Sequence, residues 1–253
     1  MKNIRITARL DLNNDQLIKG KLLEGLRQIG KADGFVKRYY NQGVDEIIFI
    51  DAVASLYKRD PTYHVIRSAV SDIFVPITLG GGIKTLGNIE EALKSGADKV
   101  AINSAGIRDM KFISEAVRVF GSQAIIGSVT VRRHRYDWEC FIDNGKHRTK
   151  INVADRINTL VDQGVGEILL TSIDNDGLMS GGDIALIEKV SPICKVPTLY
   201  SGGISNADHI KRINDLYNID GYAIGSSVHY GLETFTSIKN SLQKKGVPIR
   251  LWN

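Results

Sequence analysis

The chain repeats itself. Val75-Pro76-Ile77-Thr78-Leu79-Gly80-Gly81-Gly82-Ile83 returns 121 positions later as Val196-Pro197-Thr198-Leu199-Tyr200-Ser201-Gly202-Gly203-Ile204. The same shift carries Gln42-Gly43-Val44 onto Gln163-Gly164-Val165 and Glu46-Ile47 onto Glu167-Ile168. A constant offset across separated motifs marks a duplicated half. Any fold for this chain must therefore divide into two equivalent parts.

Each copy is a short apolar run, too short for a helix, ending in glycines that lead into a new helical pattern. Such β-rich runs fall at about 4–11, 46–51, 75–79, 98–103, 124–130, 167–172, 197–201 and 220–225. Helical patterns lie between them, at 88–95, 109–120, 153–163 and 183–190 among others. Eight β-α units in 253 residues predict an α/β protein of the (β/α)8 TIM-barrel class, built from two half-barrels. A doubly wound open sheet is the competing arrangement, and duplication into four-plus-four units favours closure.

With 43% hydrophobic and 24% charged residues and no linker-like stretch, the expectation is a single barrel domain over 1–253. Met1 to Arg5 enter a strand pattern directly, without the apolar core of a signal peptide, and no apolar run approaches the length of a membrane span. Cys140 and Cys194 lack ligand spacing, which predicts two reduced thiols in a cytoplasm. A net charge of +5 permits an anionic ligand without identifying one.

Alternation along the first strand places Ile4, Ile6, Ala8 and Leu10 on one face, to pack under helices, and Arg5, Thr7, Arg9 and Asp11 on the other, inside the barrel. Inward charges are costly unless paired or wet. Glu46, Lys99 and Glu167 open other strands, so Arg5, Lys99, Glu46 and Glu167 can form a neutral salt-bridge ring across the barrel bottom.

In barrels the C-terminal strand ends carry the chemistry. There stand Asp11, Asp51, Asn103, Ser104 and the run Asp174-Asn175-Asp176-Gly177. A carboxylate at a barrel mouth can serve as general acid or base, and one sharing the inward face, Asp11, is the strongest candidate. Asp51, Asp174 and Asp176 are equally suited to capping a loop. The Asp-x-Asp-Gly string is too short for a calcium loop, and no metal or other cofactor is expected.

The glycine runs gain meaning as a pair. Gly80-Gly81-Gly82 with Asn103-Ser104 mirrors Ser201-Gly202-Gly203 with Gly225-Ser226-Ser227. Glycines let backbone N–H groups approach an anion, so two matched sites imply a small ligand with a phosphate at each end. Residues 12–32, with Lys19-Gly20, Gly25 and Gly30, form a long first loop suited to a lid. Residues 131–150 combine Arg132, Arg133, His134 and Arg135 with the hairpin-type turn Asp143-Asn144-Gly145. No nucleic-acid fold signature accompanies that basic cluster, and such runs are usually solvated.

Ala8-Arg9-Leu10-Asp11, Lys19-Gly20, Gly43-Val44-Asp45-Glu46, Gly80-Gly81-Gly82-Ile83, Gly96-Ala97-Asp98-Lys99-Val100 and Thr171-Ser172-Ile173-Asp174-Asn175-Asp176-Gly177 resemble the cyclase subunit of imidazole glycerol phosphate synthase. The resemblance runs over essentially the whole chain, and extends to the sister isomerase barrel of histidine synthesis. Lys19-Gly20, the Thr-Ser-Ile-Asp run and the terminal Val247-Pro248-Ile249-Arg250-Leu251 resemble the cyclase more. It implies a separate glutaminase docked at the barrel bottom as a heterodimer, with Asp98 and Gln123 at the interface. Ammonia would then pass a gate of Arg5, Glu46, Lys99 and Glu167 to a bisphosphorylated substrate at the top. It further implies that Asp11 is one of two acid–base aspartates and that Lys19, Asp51, Asn103 and Asp176 handle substrate.

Three positions depart from the family pattern. Thr130 stands where the second aspartate belongs, and its hydroxyl has no accessible pKa for acid–base work near neutrality. Arg9 replaces a small cysteine beside Asp11, where a guanidinium would hold Asp11 ionised. Lys150 replaces a glycine. These departures lead to the expectation of a paralogue that keeps the scaffold and supplies ammonia for sugar amidation by a third protein, a sugar amidotransferase. The alternatives are an authentic histidine-pathway cyclase tolerating Thr130, and a non-catalytic scaffold that activates a glutaminase.

Overall fold

The computed structural model describes residues 3–251, so the outermost two residues at each end of the expected 1–253 unit lie outside the described residues. Twelve strands form one sheet: β1 (Arg5–Asn13), β2 (Gln16–Lys21), β3 (Glu24–Lys31), β4 (Glu46–Asp51), β5 (Ile77–Gly80), β6 (Lys99–Ile102), β7 (Ile125–His134), β8 (Asp137–Ile142), β9 (His147–Asn152), β10 (Glu167–Ser172), β11 (Thr198–Ser201) and β12 (Gly221–Ile224). Eight of them, β1, β4, β5, β6, β7, β10, β11 and β12, pair in parallel in that order, and β12 returns to β1 to close the barrel. Helices fill the crossovers, among them Leu86–Lys94, Phe112–Phe120, Val153–Asp162 and Ile184–Val190, close to the spans their periodicity predicts.

Burial follows the strand alternation. Ile4, Ile6, Ala8 and Leu10 join a large apolar layer between strands and helices, whereas Ile48, Ala101, Ile126, Leu169, Leu199 and Ala223 fill the barrel lumen. A packed lumen is what an eight-stranded barrel of this size allows.

The two halves pair their first two barrel strands in matching register. Leu12 of β1 lies opposite Asp51 of β4, and Val131 of β7 lies opposite Ser172 of β10. Asp51 and Ser172 hold matching places in the repeat, so Asp11 matches Thr130 and Arg9 matches Ser128. Both first strands run on into hairpins, β2–β3 after β1 and β8–β9 after β7.

The first hairpin corrects the expectation of an irregular loop over 12–32. Its turn is a two-residue connection, Leu22-Leu23, with both φ angles positive, 57° and 59°. Such turns ordinarily advertise themselves as Asn-Gly or Asp-Gly. Here Leu23 is instead held by burial against Phe141 and Ile173, and bulges at Leu17/Ile18 and Lys19/Lys21 interrupt the alternation that would betray a strand. The second hairpin turns at Asp143-Asn144-Gly145, all with positive φ, as its sequence announces.

Candidate active site at the barrel mouth

At the N-terminal end of the strands the four inward charges close into a ring. Arg5 Nη1 donates to Glu46 Oε1 at 2.9 Å and Arg5 Nη2 to Glu167; Lys99 Nζ reaches Glu167 at 3.0 Å and Glu46 at 3.4 Å. Each cation touches both anions, so partial burial is compensated. Burial opposes the Arg5 charge, but the two carboxylates outweigh it and hold the guanidinium protonated. Asp98 and Gln123 are exposed on the same end, and Asp98 accepts the Ile77 N–H at 2.8 Å, a bond that steadies the start of β5.

At the other end, β1 delivers Arg9 and Asp11 to the mouth and the β2–β3 hairpin folds Lys19 down onto them. Lys19 Nζ lies 3.1 Å from Asp11 Oδ2 and 2.9 Å from Asp176 Oδ2, and all three residues are buried. Gly20 and Gly177 permit this: a Cβ on Gly177 would stand 2.3 Å from the Gly20 carbonyl oxygen, and Leu22 N–H donates to the Asp176 carbonyl at 2.8 Å. Arg9 Nε donates to Asp11 Oδ1 at 2.9 Å, and Arg9 Nη1 crosses the lumen to Thr171 Oγ1 (2.9 Å) and Ser201 Oγ (3.2 Å). Burial works against ionising Asp11, yet the charges of Arg9 and then Lys19 prevail and hold its carboxyl well below the usual range. Lys19 is likewise raised: burial opposes its charge, and Asp11 and Asp176 overcome that.

The mouth holds two cavities. One is lined by Arg9, Asp51, Gly81, Gly82, Asn103, Ser104, Ser128 and Thr130. The other is lined by Arg9, Lys19, Asp176, Gly177, Gly202, Gly203, Gly225 and Ser226. Of the substrate and phosphate residues expected from sequence, Gly80 and Ser227 line neither cavity and Asp11 lies behind Arg9 and Lys19; the others line one or the other. Thr130 reaches the first cavity from the middle of β7, where the strand leaves the barrel for its hairpin.

The cradles are duplicates in detail. Gly81 and Gly202 have φ of 84° and 122°, and a Cβ on either would strike the carbonyl oxygen of Asp51 or of its repeat partner Ser172, at 2.1 and 2.7 Å. Asn103 and Gly225 share an unusual backbone, φ/ψ of −119°/−82° and −127°/−81°, each opening a short helix, Ser104–Arg108 and Ser226–His229. Asn103 Nδ2 donates to the Phe141 carbonyl at 3.0 Å, and Ser104 Oγ accepts the Asp143 N–H at 3.0 Å, tying the first cradle to the second hairpin.

Several contacts had no sequence signal. Asp51 is bound by Arg59 through Nη1 (2.6 Å) and Nη2 (2.8 Å) and by Thr62 Oγ1 (2.5 Å), while accepting the Ala54 N–H at 3.0 Å. It therefore holds its own loop as well as lining the cavity. Asp174 is half-buried and accepts the Arg133 N–H at 2.6 Å, a loop staple. His229 sits between Tyr39, whose hydroxyl meets Nδ1 at 2.6 Å, and the Arg9 carbonyl, 2.9 Å from Nε2. Burial and then the Lys19 charge push His229 down to about 3, so the ring is neutral, donating to the Arg9 carbonyl and accepting from Tyr39. Among the described residues, no group of three or more His, Cys, Asp or Glu side chains could hold a metal ion.

A family model described as "Histidine biosynthesis protein" matches residues 5–234. A Legionella pneumophila protein named imidazole glycerol phosphate synthase subunit HisF is 42% identical over 209 residues, 82% of this chain and 99% of its own. Proteins of the same name from Bacillus cereus (strain G9842) and Myxococcus xanthus (strain DK1622) are 35% and 33% identical, over 98% and 97% of both chains. The chain belongs to this family of synthase cyclase subunits. Among the described residues no helix is long and apolar enough to cross a membrane.

Proposed function

We propose that this chain is the ammonia-accepting barrel subunit of an imidazole glycerol phosphate synthase, taking ammonia from a glutaminase docked at the ring and delivering it to a bisphosphorylated acceptor at the mouth. One observation carries the reading: two matched glycine cradles and the Asp11–Lys19–Asp176 cluster open on a single mouth, at the opposite end of the barrel from the closed ring. The cradles would take the terminal phosphates through backbone N–H groups, and Arg5, Glu46, Lys99 and Glu167 would gate ammonia entry. Lys19 would exchange its carboxylate partners for substrate as the hairpin opens and recloses. Its departure removes a neighbouring cation from Asp11 and raises that carboxylate's proton affinity. The free cysteines suit a cytoplasmic setting.

The relatives' names favour histidine-type ring closure over amidation of a sugar, and none of the three names a sugar amidotransferase. A second reading retains support from Thr130, which holds the place of Asp11 in the second half, and from the Arg9 guanidinium clamped on Asp11. In it the scaffold still receives ammonia, but ring closure is lost and ammonia passes to another acceptor or the barrel only activates its glutaminase.

Ammonia-dependent turnover of the synthase's ribulosyl substrate by the chain and by Thr130→Asp separates these. Turnover by the unmodified chain supports the cyclase. Activity gained only in Thr130→Asp, by about 100-fold or more, supports a preserved site lacking one acid. Inactivity of both, with glutaminase stimulation retained, supports the scaffold role.

A further inference from the structure

Arg9 is the one residue common to the linings of both mouth cavities. It is 5% exposed, and its guanidinium is fixed from two sides: Nε by Asp11 of its own strand, Nη1 by Thr171 and Ser201 across the lumen. These bonds consume three of its five N–H directions and leave Nη2 without a protein acceptor. Behind it, His229 holds the Arg9 carbonyl, so the backbone that aims the side chain is fixed too. Nη2 opens onto the cavities from an otherwise buried guanidinium. Such a nitrogen gains from an oxygen a ligand brings once that ligand has displaced solvent, and a preorganised planar fork loses little freedom in receiving it. The local charge is balanced, Arg9 and Lys19 against Asp11 and Asp176, so neither a neutral nor a singly anionic oxygen is excluded by net charge.

We infer that Arg9 is the specificity-determining residue of the mouth, its Nη2 receiving a planar oxygen acceptor, a carbonyl or a carboxylate, that the ligand carries between its two phosphates. Given two phosphate sites, the reading on which this rests, a ligand must pass Arg9 to reach from one cradle to the other. Ligands with only methylenes or hydroxyl-free carbon at that point leave the donor unpaired and bind less well. Arg9 thus selects on the middle of the ligand while the cradles select on its ends.

The test is calorimetric binding to the full chain. Linear bisphosphates of increasing length are compared first with inorganic phosphate to find the span the mouth accepts. At the best length, three versions are compared, carrying at the centre a methylene, a ketone or a carboxylate. The expected result is binding about tenfold or more tighter for the ketone or the carboxylate than for the methylene, the stronger of the two naming the acceptor. In Arg9→Met the three should bind alike within roughly twofold. Arg9→Lys, which keeps the charge and the neutralisation of Asp11, should lose a ketone preference and weaken a carboxylate preference; it carries the test if the methionine variant does not fold. Equal binding of all three by the unmodified chain, or a preference that survives Arg9→Met or is undiminished in Arg9→Lys, overturns the inference. If no bisphosphate of any length binds better than inorganic phosphate, the two-phosphate reading itself fails, and the role of Arg9 falls with it.

Discussion

The two half-barrels share a backbone and differ in charge. The glycines, the unusual backbone at Asn103 and Gly225, the hairpins after β1 and β7, and the inward glutamates Glu46 and Glu167 occur in both. The cations that use them do not. Arg5, Arg9, Lys19 and Lys99 all come from the first half, and each bonds to an acceptor in the second: Glu167, Thr171 with Ser201, Asp176, and Glu167 again. Where the first half carries Arg9 and Asp11, the second carries Ser128 and Thr130. Duplication preserved what the phosphate ends of a ligand require. Divergence placed these cations in one half, each paired there or across the barrel with acceptors of the other, so the middle of the mouth is asymmetric.

That comparison can be broken at its most symmetric point. Gly81→Ala forces a Cβ to within 2.1 Å of a carbonyl oxygen at positive φ, and Gly202→Ala does so at 2.7 Å. We expect losses near 3 and 2 kcal/mol, about in that order, read by urea unfolding, each with weakened phosphate binding. Equal, negligible losses would mean that the cradles are not under the constraint both halves display.

The donor–acceptor division is tested at the ring. Arg5→Met removes one of two cations and leaves Glu46 and Glu167 sharing Lys99. Because Arg5 is partly exposed, the expected destabilisation is about 2 kcal/mol rather than the larger value of a fully buried pair. Adding Glu167→Gln should recover part of it. A change below about 0.5 kcal/mol would place the ring among ion pairs of no energetic weight.

His229, from the second half, holds β1 of the first through the Arg9 carbonyl. Its pKa is depressed in the folded chain to about 3, below the unfolded value near 6.5, so the unfolded state binds more protons in between. The contribution is complete above about pH 6.5 and falls as pH drops toward 3, by at most about 1.4 kcal/mol per unit. Asp11, also depressed, adds a loss only below about pH 4. Urea midpoints measured between about pH 5 and pH 7 should therefore slope less in His229→Gln than in the unmodified chain. An unchanged slope would remove His229 from the account.

The smallest effect concerns the second hairpin. Lys150 has φ of 62°, a conformation that favours glycine, which explains why a lysine there is a departure. Lys150→Gly should be stabilising by no more than about 1 kcal/mol, and a clear destabilisation would show that contacts of the lysine outweigh the strain.

By itself the sequence determined the duplicated barrel, because strand period, glycine punctuation and a constant offset are local patterns that survive without coordinates. It also determined the ring, since inward charges at matching strand starts have no other partners to meet. The mouth residues Asp51, Asn103, Ser104 and Asp176 were legible as strand ends. Only the tertiary structure decided that residues 16–31 are strands, because the Leu22-Leu23 turn is imposed by burial against Phe141 and Ile173 rather than by turn chemistry. Only it showed Arg59 on Asp51, and Arg9 reaching 162 and 192 positions along the chain to Thr171 and Ser201. Side-chain partners of this kind follow no period: they are set by which strands closure brings face to face across the lumen. The same closure turns two equivalent halves into one asymmetric site.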